Sequence, residues 1–518
     1  MKQIKRALIS VSDKTGVREF AAGLAALGIE IISTGGTAKL LRECGLSIRD
    51  AAEVTGFPEM LDGRIKTLHP LIHGGILAVR SNPAHESKMS EHGIDYIDLV
   101  AVNLYPFEKT AATPGVDMAE LIENIDIGGP SMIRSAAKNH NDVAVVADPA
   151  DYAIVLEEAR AHGGSLSQKT RERLARKAFA RTAAYDAAIS AELQKRAEEG
   201  LPEVFHLNVP KVADLRYGEN PHQRAALYRN PADAGHGLAF ARQLQGKELS
   251  FNNLVDLEAA WGLAGEFSEP AAVIIKHSNP CGAATGAPLV ESYRRALNVD
   301  PVSAFGSVMA FNRPIDKATG EELIKLFVEA IAAPGYEPVA LEALAAKKNL
   351  RLMEMPDPPG QTCATLQLKV IGGGLLVQTA DPAGASDLNW RCVTKRHPDQ
   401  EERRALLFAW RVVKHVKSNA IVYATENAIV AVGAGQMSRV DSVKIGAAKA
   451  RELGHSLQGT VVASDAFFPF PDGVEEAAKA GAKAVVQPGG SVRDAEVIAA
   501  ADRLGLAMLF TGVRHFLH

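Results

Sequence analysis

Residues 7–16, which read Ala-Leu-Ile-Ser-Val-Ser-Asp-Lys-Thr-Gly, determine the fold predicted for the N-terminal part of the chain. Its apolar first half predicts a buried β-strand. Five apolar residues then follow at the i, i+3, i+4, i+7 spacing of an amphipathic helix, namely Val17, Phe20, Ala21, Leu24 and Leu27. The order is therefore strand, polar turn, helix.

The same alternation continues along the first 160 residues or so. Residues 29–32, 98–104 and 143–146 are further predicted strands, and Thr37 is the expected N-cap of the helix after the second strand. Repetition of strand and helix predicts an α/β fold with a doubly wound parallel sheet.

Composition excludes several classes of protein. The chain has 518 residues, and 57 Lys and Arg against 61 Asp and Glu give a net charge of −4, so no global positive field attracts nucleic acid or a membrane surface. No apolar run approaches the ~18 residues of a membrane span, and the apolar run after Ala7 meets Asp13 too early for a signal peptide. Four scattered cysteines, Cys44, Cys281, Cys363 and Cys392, are typical of reduced thiols, so we expect a cytoplasmic protein.

Two turns in the N-terminal part have the form of anion sites. Residues 12–16, with Lys14, and residues 34–37 each end a strand and open a helix, where backbone N–H groups and the helix dipole favour an anion. Either turn alone is commonly an ordinary capped turn. Two of them at the carboxyl edge of one parallel sheet favour a phosphate ligand.

A cationic helix is predicted over residues 168–195 and has two interpretations. It is either a nucleic-acid surface or a solvated helix that bridges two domains, and we favour the second because acidic residues intersperse and no aromatic platform accompanies the cations. The domain boundary is placed near Gly200.

In the second part, Lys276 and His277 follow a predicted buried strand at 271–275. Such a pair is costly to bury and does not help packing, so a functional role is favoured. Cys281 beside His277 is an alternative nucleophile, which we disfavour because cysteine is commonly a small buried residue.

Two short sequence similarities within the second part suggest an internal duplication. Two related halves that face each other would place the polar residues of both halves at one cleft. Residues 276–279 are echoed by 417–419, and residues 303–305 by 465–467.

Two other patterns are rejected. His69 and His73 have metal-ligand spacing, but Pro70 intervenes and no zincin-type Glu is present. Residues 433–438 nearly match a dinucleotide fingerprint, but they lack its third Gly and its later acid.

Taken together, the motifs resemble a known family, the bifunctional purine biosynthesis proteins, which join an aminoimidazolecarboxamide ribotide (AICAR) transformylase to an inosine monophosphate (IMP) cyclohydrolase. The motifs occur in order along the chain. They are Ser10 to Gly16, Ser33 to Thr37, Lys66 to Pro70, Asn103 to Phe107, Ile125 to Gly129, Ala137 to His140, Arg216 to Gln223, Lys276 to Pro280, Asp300 to Gly306, Ser418-Asn419, Gly433 to Gln436 and Ser464 to Phe470.

The resemblance implies the organisation of the chain. Residues 1–199 would be a methylglyoxal-synthase-like cyclohydrolase domain with a linking helix, and residues 200–518 a transformylase domain of two cytidine-deaminase-like α/β subdomains without zinc. The family uses 10-formyltetrahydrofolate as formyl donor, requires no metal, and is homodimeric with shared transformylase sites. One departure is Ser278, where the family often has Val.

The resemblance also implies site residues. For formyl transfer, His277 would be the general base, Lys276 would stabilise the oxyanion or protonate the leaving folate nitrogen, and Asn419 would orient the reacting groups. The residues that would bind the substrates of this step are Arg216, Tyr217, Gly218, His222, Phe305, Gly306, Arg439, Arg514 and Phe516.

For cyclisation, the resemblance implies the catalytic residues Lys66, Tyr105, Asp126 and Lys138. The residues that would bind the nucleotide there are Ser12, Lys14, Thr15, Gly36, Thr37, Arg64 and Thr67. A rival hypothesis treats the N-terminal domain as a regulatory sensor of a phosphorylated ligand on an enzyme with one activity, because methylglyoxal-synthase-like folds also serve in that way.

Overall fold

The computed structural model describes residues 1–58, 60–61, 65–197, 200–231, 235–357, 366–381 and 390–518. The chain forms two compact units, Met1–Asn208 and Val209–His518. In the described residues, no helix has both the length and the apolar character needed to cross a membrane.

Unit 1 is built on a parallel sheet of five strands in the order β4-β3-β2-β5-β6. The strands are β1 (Lys2–Gln3), β2 (Arg6–Val11), β3 (Glu30–Ser33), β4 (Ile48–Asp50), β5 (Leu99–Asn103), β6 (Ala144–Val146) and β7 (Ser165–Leu166). The chain adds strands on one side of β2 and then returns to its other side with β5. This order confirms the predicted doubly wound sheet and puts a topological switch beside β2, where such sheets bind ligands.

Helices cover the faces of this sheet. They are α1 (Val17–Ala25), α2 (Gly35–Glu43), α3 (Ala51–Thr55), α4 (Pro70–Leu77), α5 (Pro83–Glu91), α6 (Phe107–Ala111), α7 (Met118–Glu123), α8 (Gly128–Lys138), α9 (Tyr152–Ala161) and α10 (Gln168–Ala197). Helix α1 buries four of the five apolar residues predicted for it, whereas Leu27 lies beyond its end and is partly buried against the same core. The prediction for Thr37 was wrong: α2 begins at Gly35 after Thr34, and the buried Thr37 hydroxyl donates to Val11 O instead.

Helix α10 differs from both interpretations of its sequence. It packs against α6, α8 and β6 within unit 1 and buries Leu174 and Tyr185. Its cations bind acceptors of the same unit: Arg171 donates to Leu166 O, and Lys177 pairs with Asp151. The helix is therefore part of the unit 1 core rather than a solvated bridge or a nucleic-acid surface.

Unit 2 begins with a hairpin of β8 (Lys211–Leu215) and β9 (Ala225–Tyr228) and continues with a first α/β repeat. The elements of this repeat are β10 (Arg242–Gln245), α11 (Phe251–Ala264), β11 (Ala271–Lys276), β12 (Asn279–Thr285), α12 (Leu289–Val299), α13 (Pro301–Ala304), β13 (Ser307–Phe311), α14 (Lys317–Leu323), β14 (Val328–Ala333), α15 (Pro338–Leu344) and β15 (Arg351–Glu354).

A second hairpin of β16 (Leu366–Ile371) and β17 (Gly374–Thr379) separates this repeat from the next. The elements of the second repeat are β18 (Arg391–Cys392), α16 (Gln400–Val413), β19 (Ile421–Ala424), β20 (Ile429–Gly433), α17 (Arg439–Glu452), β21 (Val461–Ser464), α18 (Asp472–Ala480), β22 (Ala484–Gln487), α19 (Asp494–Arg503) and β23 (Ala507–Phe510).

The two repeats have the same topology. Their sheets have the orders β10-β15-β14-β13-β11-β12 and β18-β23-β22-β21-β19-β20, with the same parallel and antiparallel pairings at each step. One hydrophobic core joins α11, α16 and the facing sides of both sheets. The predicted duplication is therefore present.

The sequence echoes behind that prediction, however, are not equivalent positions. Residues 276–279 form the turn after β11, whereas residues 417–419 precede β19, its counterpart. Likewise, residues 303–305 precede β13, whereas residues 465–467 follow β21. The clusters lie at opposite ends of equivalent strands, so the echoes do not record the duplication.

The edge strand β20 also depends on a close approach by α17. A Cβ at Gly433 would lie 1.9 Å from Ser442 O and 2.6 Å from Ser442 C, which are backbone atoms that a rotamer change cannot move.

We therefore predict that Gly433→Ala lowers the free energy of unfolding by about 1–3 kcal/mol or more, because the strand and helix must separate. Urea unfolding of the full chain measures this. Gly372→Ala is the matched control, since nothing lies within 4 Å of a Cβ there. Equal stability of the two variants would contradict the role given to Gly433.

Candidate active sites

The first site is a cavity of about 610 Å³ in unit 1, at the carboxyl ends of β2, β3 and β5. Eight of the residues predicted for cyclisation line it: Ser12, Lys14, Gly36, Thr37, Lys66, Thr67, Tyr105 and Asp126. Residues from distant parts of the sequence meet here because parallel strands end at one edge of the sheet.

Two lysines give the cavity its positive charge. Lys14 Nζ donates to Thr37 Oγ1 at 2.8 Å and to Val11 O. Burial lowers the pKa of Lys14, and repulsion from Lys66 lowers it further. The Lys66 amine lies at the N-terminus of α2, where a Cβ on Gly35 would be 3.3 Å from its Nζ. A helix N-terminus with two nearby ammonium groups suits a phosphate.

Asp126 lines the same cavity and interacts electrostatically with Lys66. Its carboxylate accepts from Gly129 N at 2.7 Å and from Tyr105 N at 3.4 Å. Burial nevertheless raises the pKa of Asp126, and these two bonds and the charge of Lys66 oppose the rise. Helix α10 fixes the segment, because its buried Tyr185 hydroxyl accepts from Asp126 N at 2.9 Å and donates to Asn124 O at 3.0 Å.

Three predicted residues are not among those that line the cavity. Thr15 is bound to Asp13, with its hydroxyl 2.7 Å from Asp13 Oδ1. Lys138 is exposed at the last residue of α8, about 15 Å along the helix from Gly128 at the cavity wall. Arg64 lies outside the described residues.

The sequence analysis missed Asn103 as a site residue. Its side chain closes the Ser12 turn: Oδ1 accepts from Ser12 N at 2.6 Å and Nδ2 donates to Asp13 O at 2.9 Å. An Asn at the end of a predicted buried strand was the available signal.

The second site is centred on the turn between β11 and β12. Lys276 pairs with Asn279 across this hairpin, and both turn residues have positive φ, 52° at His277 and 59° at Ser278. Lys276 Nζ donates to Phe305 O at 2.7 Å and to Gly306 O at 3.1 Å. The structure thus brings together four of the residues predicted for formyl transfer.

The segment before β19 joins this hairpin. Asn279 Oδ1 accepts from Lys417 N at 3.0 Å, and Gly435 N donates to Lys417 O at 2.7 Å. Asn419 Nδ2 donates to Gln436 O at 2.8 Å. The chain around Asn419 is therefore fixed both to the hairpin and to the end of β20.

Arg439 supports this segment from inside. It is 7% exposed, its Nη2 donates to Asn419 Oδ1 at 2.7 Å, and its Nη1 binds Ser464 and Asp465. The guanidinium thus binds three side chains that hold Asn419 in place. Substrate binding by Arg439 stays a prediction.

Two further predicted segments contact the elements around this site. Tyr217 O accepts from Phe251 N at the start of α11, and Arg216 stacks over the Tyr217 ring at 5.4 Å. Gly218 N donates to Gln223 O, and His222 is exposed.

At the C-terminus, Leu517 O accepts from Ser418 N at 2.9 Å. Arg514 lies over the Phe516 ring at 4.3 Å in the same tail. The tail thus connects Arg514 and Phe516 to the Lys417–Asn419 segment.

The thiol of Cys281 does not suit a nucleophile. Burial raises the pKa of Cys281 to about 12, with a smaller contribution from Asp300. Cys363 lies outside the described residues, and among the residues described we find no group of three or more His, Cys, Asp or Glu side chains arranged for a metal.

Asp126 generates a prediction about stability. Its pKa in the folded chain lies above the ordinary value of 3.8, so the native state binds more protons than the unfolded chain between those two pKa values, and stability is lost as pH rises through the folded pKa. Asp126→Asn cannot ionise, so we predict that its Tm exceeds that of the parent at pH 7 and that the gain shrinks towards pH 3.8. Thermal unfolding over this pH range measures it.

The control for that experiment is Asp117→Asn, at an exposed N-cap where the amide can still accept from Glu120 N. It should show no such gain. A Tm for Asp126→Asn at or below that of the parent at pH 7 would contradict the cost assigned to the buried carboxylate.

Comparison with known proteins places the chain in a family. The MGS-like domain family matches residues 16–131, and the AICARFT/IMPCHase bienzyme family matches residues 136–449. The "Bifunctional purine biosynthesis protein PurH" of Magnetococcus marinus is 57% identical over an alignment of 532 positions that covers 100% of both chains. The crystal structure of ForH is 41% identical and covers 37% of this chain and 98% of its own, with a TM-score of 0.33.

Unit 1 accordingly has an MGS-like fold. The chain belongs to the AICARFT/IMPCHase bienzyme family and is an enzyme of the last two steps of purine biosynthesis, a formyltransferase for AICAR and an IMP cyclohydrolase.

Proposed function

We propose that the two activities are divided between the two parts of the chain: cyclisation within residues 1–199 and formyl transfer within residues 200–518. The observation that carries this division is that each part holds a separate, complementary set of groups. The unit 1 cavity offers two lysines, a helix N-terminus and a buried carboxyl. The unit 2 hairpin offers an exposed imidazole beside an amine.

Formyl transfer from 10-formyltetrahydrofolate requires a base, because the 5-amino group of AICAR is conjugated with its ring and is a poor nucleophile. His277 is our proposed base. Imidazole is the side-chain group that most often removes protons in enzymes, and a general base contributes about 10²- to 10⁴-fold in rate. Within the described part of the chain, its imidazole makes no hydrogen bond, so both nitrogens remain available to substrate.

Lys276 is the proposed stabiliser of the tetrahedral oxyanion. An ammonium has three N–H donors, and two of those of Lys276 bind Phe305 O and Gly306 O. The third can point at the oxygen of the attacked formyl group, or deliver a proton to the leaving folate nitrogen. Preorganised donors of this kind are the main source of stabilisation for such intermediates.

Asn419 has a narrower role than first expected. Its Nδ2 donates to Gln436 O and Met437 O, and its Oδ1 already accepts from Arg439. Only the second lone pair of Oδ1 remains for a substrate N–H or for the imidazole. We propose that Asn419 orients one of these through that oxygen.

Cyclisation joins the carboxamide nitrogen to the formyl carbon of the same molecule and then loses water. Holding the reacting rotamer therefore supplies much of the rate. We propose that the Lys14 and Gly36 end binds the phosphate and that Lys66 stabilises the oxyanion. Asp126, whose pKa is raised by burial, would carry protons beside Tyr105. Arg64 and Lys138 stay predictions from the family resemblance.

The reciprocal variants Lys66→Ala and His277→Ala test this division. Loss of Lys66 should slow cyclisation by roughly 10² to 10³, or about 2.7–4 kcal/mol of barrier, while formyl transfer survives and the formylated ribotide accumulates. Loss of His277 should slow formyl transfer by at least ~10² and leave cyclisation near normal. A product assay that resolves the two nucleotides measures both.

Each variant is the control for the other. Under the sensor hypothesis, Lys66→Ala would change a ligand's effect on formyl transfer without accumulation of the intermediate. That result would remove Lys66 from the catalytic residues, and unchanged formyl transfer in His277→Ala would remove His277.

We also propose a cytoplasmic homodimer with transformylase sites near the subunit interface. The β16–β17 hairpin supports this: the side chains on one of its faces are all apolar except Thr379, and include Leu368, Val370 and Leu375, with Val370 81% exposed. An isolated two-stranded hairpin is marginal in water and needs a surface to pack against. Burial, and then repulsion from Lys369 of the opposite face, lower the pKa of Lys417, a residue of the segment that joins the second site.

Val370→Asp should therefore reduce the mass from twice that of one chain to that of one chain, because it puts a carboxylate on the apolar face. Light scattering at micromolar concentration measures the mass, and Gln378→Glu on the opposite face is the control. Formyl transfer should fall with the dimer while cyclisation persists. A dimeric Val370→Asp variant would exclude this hairpin as the interface.

A further inference from the structure

Among the residues that the structure describes, only the backbone of His277 holds its imidazole in place. In the part of the chain that the structure describes, the ring makes no hydrogen bond, and the side chain is exposed. A base must lie within hydrogen-bond reach of the proton it removes. The conformation of the turn at 277–278 therefore sets where the base lies.

That turn is locally unfavourable for its sequence. A two-residue hairpin with positive φ at both positions favours Asn-Gly, whereas this chain has His277 and Ser278 there. Contacts outside the turn must then hold it. Asn279 Nδ2 donates to His277 O at 3.2 Å, and the carboxylate of Asp256 accepts from Ser278 N at 2.8 Å and from Ser278 Oγ at 3.4 Å.

We propose that Asp256 is a positioning residue for formyl transfer, which fixes the turn that carries His277; this inference rests on the proposed role of His277 as the base. The main contact is to a backbone N–H, so it does not depend on the side chain at position 278, where the family often has Val. Asp256 acts through the turn and does not itself touch substrate.

Helix α11 gives Asp256 a rigid support. The helix starts with a capping box at Ser250 and Asn253. One turn before Asp256 on the same face, Asn252 Nδ2 donates to Glu219 O at 3.2 Å, in the segment that follows Arg216 and Tyr217. The start of α11 therefore sets the spacing between the base and a proposed nucleotide-binding segment.

The second repeat lacks this carboxylate. Its counterpart helix, α16, has the same length of 14 residues and its own capping box at Asp399. The position that corresponds to Asp256, six residues after the N-cap, is Ala405. The β19–β20 turn of that repeat is closed by a backbone bond from Thr425 N to Ala428 O at 2.9 Å. The anchor occurs in the repeat that carries the proposed base.

The test compares Asp256→Ala with Asp256→Asn in the full-length enzyme. The amide oxygen of Asn can still accept from Ser278 N, whereas Ala cannot. We expect Asp256→Ala to lower kcat of formyl transfer by up to about 10²-fold, the cost of a misplacement near 1 Å, with KM for AICAR little changed. Asp256→Asn should recover most of this loss and leave the acid limb of the pH–rate profile in place.

Asp316→Ala is the matched control. Asp316 also accepts a backbone N–H, from Thr319 at 2.7 Å, but it caps α14 at the far end of β13 from Gly306. It should leave formyl transfer unchanged. Cyclisation by the same preparations and their Tm values report whether each variant is folded.

The outcomes separate this inference from the role of His277. If Asp256→Asn is as slow as Asp256→Ala or moves the pH profile, the carboxylate acts by charge and the positioning role is overturned. Parent-like kcat in a folded Asp256→Ala variant, with His277→Ala inactive, overturns the inference alone. An active His277→Ala variant instead overturns the base assignment.

Discussion

The antiparallel contact of the two edge strands, β12 and β20, determines what meets in the second unit. Ala284 bridges to Ala428 in this contact, so moving back along β12 corresponds to moving forward along β20. Asn279, five residues before Ala284, therefore lies near the end of β20. That is where Gly435 binds Lys417, and hence where the start of β19 lies. Opposite ends of two equivalent sheets are thus joined, and a duplicated fold has an asymmetric site.

The asymmetry extends to the contacts that hold each turn and segment. In the first repeat, a carboxylate of α11 and two backbone carbonyls hold the Lys276 and His277 turn. In the second, the buried pair of Arg439 and Asp465 holds Asn419. Truncating one member of such a pair leaves a buried charge uncompensated, which costs more than the pair itself contributes. Arg439 is therefore a fixed part of the framework that holds Asn419, and substrate binding by its remaining N–H groups stays a prediction.

Local patterns in the sequence were enough for the elements and the class of fold. Apolar runs and helical spacing correctly predicted strands β2, β3, β5 and β6 and helix α1. This worked because the pattern of apolar and polar residues along a short segment determines which of its side chains are buried. The role of α10 could not be predicted in this way. In sequence, the cationic residues of α10 look like those of a solvated helix. Their partners, Asp151 and Leu166 O, come next to α10 only when the unit folds. The prediction that Thr37 caps α2 was wrong for the same reason, because its hydroxyl binds Val11 O on a neighbouring strand.

The residues of the candidate sites also fall into those that local sequence could predict and those that depend on contacts distant in sequence. The cavity of unit 1 was predictable in outline, since polar residues at successive strand ends must meet at one edge of a parallel sheet. Among the supporting residues, Asn103 had only the signal of an Asn at a strand end. Tyr185 and Asp256 could not be predicted, because each acts through a backbone group far away in sequence. His277 is an intermediate case, because part of the signal for it is visible in the local sequence. A His-Ser pair where a tight hairpin prefers Asn-Gly is a conflict between local preference and fold, and such conflicts persist where a function requires that side chain. The contact that makes the conflict tolerable is non-local, so it became visible only when α11 and the turn were seen together.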